Sequence, residues 1–92
     1  MAEVIWTEQA LDDLKAIHDF LARDTEAYAE LITEELFERA EALAEAPQSG
    51  APVPEAKGGA IREFAQGAFR LLYRAEDERL EILAICPGCR RD

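Results

Sequence analysis

The chain has 92 residues, 49% of them hydrophobic, which fits one small domain over 1–92 with its own core and excludes wholesale disorder. No apolar run approaches the roughly 20 residues that span a bilayer, and the opening MAEVIWTEQ lacks the basic and apolar regions of a secretory signal, so a cytoplasmic protein with reduced cysteines is expected. The net charge is −10, and the whole excess sits in residues 1–50, where thirteen acidic groups face Lys15, Arg23 and Arg39, while residues 51–92 carry seven charges of each sign; this disfavours general nucleic-acid binding but leaves room for a local basic patch.

EVIW (3–6) reads as a short strand with β-branched and aromatic residues. Thr7 then offers an N-cap, with Glu8 favourably placed in the first helical turn. Leu11, Leu14, Ile17 and Leu21 follow at helical spacing and predict a helix over about 8–22, whose other face carries Asp12, Asp13, Lys15 and Asp19. RDT (23–25) interrupts the pattern, with Asp24 or Thr25 as the next cap. Tyr28, Leu31, Ile32, Leu36, Ala40 and Leu43 form a second stripe over about 26–46, and the short connection makes the pair an antiparallel helical hairpin. Glu30, Glu34, Glu38, Glu41 and Glu45 run down the solvated face of the second helix.

APQSGAPVPEAKGG holds three of the four prolines and three of the five glycines, and no regular element is expected through it. AIREF (60–64), AFRLLYRA (68–75) and RLEILAIC (79–86) read as strands joined by the short linkers AQG and EDE, which suit hairpins. The expected fold is α+β, in the order β-α-α-β-β-β, with a helical hairpin on one face of a mostly antiparallel four-stranded sheet. The other face is left open for a partner or substrate.

Arg70 and Arg74 lie four apart on the middle strand, an even spacing, and share a face. They either pair with Glu63 or Glu81 on neighbouring strands or present charge to a partner, with Arg62 a third candidate beside them. Arg90 and Arg91 follow the last strand, as a solvated terminus or as part of the same surface. Cys86 and Cys89 have C-x-x-C spacing, but a zinc site takes four ligands as a rule, so a metal here would have to be shared across a dimer. A thioredoxin-like role expects the motif at a helix N-terminus. The simpler reading is a small apolar Cys86 closing the strand before a Pro-Gly turn, with no cofactor. His18, Trp6 and Phe64 read as packing residues rather than as ligands or recognition groups.

The stretches VIWTEQALDDLKAIHDFLARD, GAPVPE, IREF, GAFRLLYRAEDERLEIL and GCRRD, in this order and spacing, resemble the RelE/ParE superfamily of toxin–antitoxin toxins, and most of all its ParE or plasmid-stabilisation branch. The resemblance runs from Val4 to Asp92. It implies the RelE/ParE-like fold and a toxin held inactive by a ParD-like antitoxin in a hetero-oligomer. It also implies one of two activities: ParE-like members inhibit DNA gyrase by binding it, and RelE-like members cut messenger RNA on the ribosome. Against the RelE pattern, Arg70 and Arg90 match basic positions, Ile61 and Glu63 stand near the lysine positions, and the late tyrosine would fall beyond Asp92. The family's His-Gly-x-Arg segment reads CPGCRRD, so Gly88 and Arg90 match and the histidine does not. Two arginines bind phosphate but are poor acids and bases near neutrality. The expectation is therefore a gyrase inhibitor that performs no catalysis and does not itself bind nucleic acid. An mRNA endonuclease and a drifted, non-toxic antitoxin-binding domain are the alternatives.

Overall fold

A computed structural model describes residues 3–54 and 60–87. The elements are β1 (Glu3–Trp6), α1 (Glu8–Ala22), α2 (Glu26–Glu45), a 3-10 turn (Pro47–Ser49), β2 (Ala51–Pro52), β3 (Arg62–Gln66), β4 (Phe69–Glu76) and β5 (Arg79–Pro87). They form one five-stranded sheet in the order β1-β5-β4-β3-β2, with β1 parallel to β5 and every other pair antiparallel.

The α+β layering follows the expectation, with two corrections. The sheet has five strands rather than four, because Ala51 and Pro52 pair with Glu63 and Arg62. The Pro/Gly-rich connection is also not devoid of regular structure, since it holds the 3-10 turn and β2. Pro47 starts the turn at a position where a missing amide costs nothing.

Thr7 ties strand to helix. Its side-chain oxygen accepts from the Ala10 amide at 3.1 Å as the N-cap of α1, and its hydroxyl donates to the Ile82 carbonyl of β5 at 2.9 Å. Thr25 caps α2 in the same way by accepting from the Tyr28 amide at 3.0 Å. Both sheet hairpins close through two residues. Gly67, at φ 60°, takes the left-handed position between β3 and β4, and Asp77, at φ 26°, takes the one between β4 and β5.

The core lies between the helices and one sheet face. Ala10 of α1, Leu36, Ala40, Leu43 and Ala44 of α2, and Leu71, Tyr73, Leu80, Ile82 and Ile85 of the strands are buried together. A bulge makes this set possible. Leu72 pairs with Ala84 and Tyr73 with Ile82, so Leu83 is the extra residue, and Ile82 and Ile85 reach the same face although they are three apart. Trp6 and Phe64 pack against the core as expected. Among the described residues, no helix is long and apolar enough to cross a membrane.

Candidate functional site

Alternation along β4 sends Phe69, Leu71 and Tyr73 into the core and Arg70, Leu72, Arg74 and Glu76 to the opposite sheet face. On that face the register sets Arg74 opposite Glu81, Glu76 opposite Arg79, and Arg70 diagonal to Glu63. Each juxtaposition is an ion pair. The Arg74 guanidinium donates to Glu81 Oε1 from Nη2 at 2.7 Å and from Nε at 3.2 Å, and lies 3.7 Å from Glu76 Oε2. Arg79 stands 3.5 Å from Glu76. Arg70 donates to Glu63, and with side chains 19% and 17% exposed this is the most enclosed pair of the series.

The ladder fixes the electrostatics of the face. Hydrogen bonding and the charge of Glu81 raise the Arg74 pKa above its ordinary value. Arg70 keeps one unmet demand: its Nε is buried and has no hydrogen-bond partner among the described residues. Cys86, half-buried and free among the described residues, sits opposite Arg70 in the register. Among the described residues no three metal-ligating side chains come together.

The candidate residues therefore divide. Arg70 and Arg74 share the outer face, as expected. Arg62 does not lie beside them: it pairs with Tyr73 in the register and so belongs to the helix side, where its Nη1 donates to the Gly50 carbonyl at 2.7 Å. There it joins a local knot. Tyr73 Oη donates to the Pro47 carbonyl at 2.6 Å and accepts from the Gly50 amide at 2.9 Å, and burial raises the Tyr73 pKa above the ordinary phenol value. Arg90, Arg91 and Cys89 lie outside the described residues. His18 is half-buried at the helix hairpin, with its ring nitrogens 3.6 Å from Asp19 and 3.4 Å from Glu26.

One feature that the residue patterns missed is a cleft of about 370 Å³ between α1 and the end of β5, lined by Ile17, Phe20, Phe69, Ile85 and Pro87, with Asp13 at its side. Asp13 Oδ2 accepts from the Ile85 amide at 3.0 Å, so an acidic residue of the supposed solvent face instead holds α1 against β5 where β1 has ended. Phe20 remains 65% exposed. The signal in the sequence was Phe20 itself, next to Leu21 but off the main stripe.

A family model described as the ParE toxin of the type II toxin–antitoxin system parDE matches residues 4–91. Among solved structures, a chain of the chromosomal ParDE toxin–antitoxin system from P. aeruginosa superposes with a TM-score of 0.79 at 23% identity, covering 95% of this chain and 96% of that one. A chain of the toxin–antitoxin complex RelBE2 from Mycobacterium tuberculosis gives 0.71 at 21% identity, covering 94% and 96%. At these identities the two likenesses speak for the fold. No curated protein sequence matches the chain.

Proposed function

The chain belongs to the ParE toxin family of type II toxin–antitoxin systems, and from that premise we propose that it inhibits DNA gyrase by binding it and is neutralised by a cognate antitoxin. The reading is supported by the state of the outer-face arginines. A toxin that cuts RNA needs cationic charge free for the scissile phosphate, together with a base and an acid. Here Arg70 and Arg74 each already hold a carboxylate, Glu63 and Glu81, so the face is close to neutral and offers paired side chains with apolar Leu72 between them. Such a face suits a protein surface better than a polyanion. The acidic helices add a field that opposes docking on ribosomal RNA.

Arg70 and Arg74 are the residues assigned to the target or antitoxin surface, together with Arg90 and Arg91 beyond the end of β5. Arg62 contributes indirectly by holding the Gly50 turn. Inducing the chain alone in a bacterial host with a DNA-damage reporter tests the proposal. Growth arrest with the reporter on, relieved by co-expressing the antitoxin encoded beside it, is the expected result. Arrest with a silent reporter and broken messenger RNA transfers the function to the RelE-like reading. Absence of arrest, with antitoxin binding kept, identifies a non-toxic binding domain.

A further inference from the structure

The sheet ends in two unlike edges. β2 is two residues long and one of them is Pro52, so that side offers little to a further strand. β1 has four residues, no proline and, among the described residues, a neighbour on one side only. The amides of Glu3 and Thr7 donate to the Glu78 and Ile82 carbonyls of the β5 side at 2.8 and 3.2 Å. By the two-residue alternation of a strand, the N–H and C=O groups of Val4 and Trp6 point the other way, along the open edge.

An apolar anchor and a row of charge adjoin this edge. Trp6 stacks on Phe37 of α2 with ring centroids 5.7 Å apart and 10° between the planes, and Phe37 stays 49% exposed. The buried indole N–H of Trp6 has no hydrogen-bond partner among the described residues. The stack turns one side of α2 toward β1, and exposed Glu30, Glu34 and Glu41 share that side with Phe37 by helical spacing.

We propose that β1 is a docking edge for an extended, lysine- or arginine-bearing segment of the antitoxin. The segment adds a sixth strand through Val4 and Trp6, covers the Trp6–Phe37 stack with an apolar side chain, and sets its cations against the α2 carboxylates. The proposal rests on the antitoxin reading given above. A second copy of this chain is the poorer occupant, because pairing β1 with itself would bring two acidic helices side by side.

Two variants of one position isolate the backbone contribution. Val4→Pro removes an amide that faces the open edge and leaves the amides facing β5 in place; Val4→Ala also shortens the side chain but keeps that amide. In calorimetric titration with the antitoxin encoded beside it, Val4→Ala binds within about threefold of wild type, and Val4→Pro binds about tenfold more weakly than Val4→Ala or worse. Added salt weakens wild-type binding. Equal affinities of the two variants would overturn the edge assignment while leaving the antitoxin reading intact. A wild-type chain that does not bind the antitoxin removes both. If Val4→Pro fails to fold by circular dichroism, amide exchange of the wild-type chain decides: the Val4 and Trp6 amides slow about tenfold or more in the complex, and unchanged exchange overturns the proposal. Self-association of the chain alone, lost in Val4→Pro, would assign the edge to a second copy instead.

Discussion

The two faces of the central sheet are built from the same strands and do opposite things. The inner face is closed by Leu71, Tyr73, Leu80, Ile82 and Ile85 against the helices, with its one hydroxyl, Tyr73 Oη, satisfied twice. The outer face carries the ladder of Glu63–Arg70, Arg74–Glu81 and Glu76–Arg79. Apolar burial is worth about 25 cal/mol per Å², whereas an exposed ion pair is worth about 0–1 kcal/mol, so stability resides on the inner face, and the outer face is the one proposed above for a partner. A strand such as FRLLYRAE can hold a fold on one face and leave the other available to a partner, because alternation separates the two sets of side chains.

Substitutions on each face sharpen or break this contrast. Leu36→Ala removes a fully buried side chain beneath the sheet, and urea unfolding is expected to show a loss of about 2–5 kcal/mol. Gly50→Ala comes next. A Cβ at Gly50 would lie 2.5 Å from Tyr73 Oη and 2.6 Å from the Glu63 carbonyl oxygen, so the knot must open, at about 3 kcal/mol. Tyr73→Phe keeps the ring but leaves the Pro47 carbonyl and the Gly50 amide without their partner, for about 1–3 kcal/mol in the same assay.

Tyr73 also sets a pH dependence. Its folded pKa is raised above the unfolded value of about 10 because burial favours the neutral phenol, so its contribution is complete below that value and is lost as pH rises through the folded pKa. Wild-type stability should therefore decline with pH above about 10 more steeply than that of Tyr73→Phe, which removes the group. The smallest stability effect belongs to the outer face. Arg74→Ala, whose side chain is 41% exposed, should leave the unfolding transition close to that of wild type yet weaken partner binding about tenfold, read by unfolding and by titration of the same preparation. An Arg74→Ala loss of stability as large as that of Leu36→Ala would end the division of labour between the faces.

Much of this was legible in the residues. Thr7 follows the EVIW strand and caps α1 as expected, and of the two candidates for the second cap, Asp24 and Thr25, it is Thr25 that caps α2. Arg70 and Arg74 were correctly placed together because strand alternation is local. What escaped notice depends on contacts between distant segments. β2 exists only because Ala51 and Pro52 meet β3, and the Gly50 turn is close-packed only because Tyr73 reaches it from β4. Arg62 stands on the helix side because it shares a face with Phe64 along β3 and pairs with Tyr73 of β4, so it does not join Arg70 and Arg74. Asp13 read as a solvent-facing acid because its partner, the Ile85 amide, lies 72 residues away. Family membership was carried by the order of several weak motifs along the whole chain.

The central claim is that the chain acts by binding a protein rather than by cutting a nucleic acid. Its most direct test is to add the purified chain, in parallel, to DNA gyrase in a supercoiling reaction and to ribosomes programmed with messenger RNA. Supercoiling is expected to be inhibited with increasing chain and restored by the antitoxin, while the message stays intact. Cleaved message with gyrase unaffected would contradict it, and would require the Glu63–Arg70 and Arg74–Glu81 pairs to open on the ribosome.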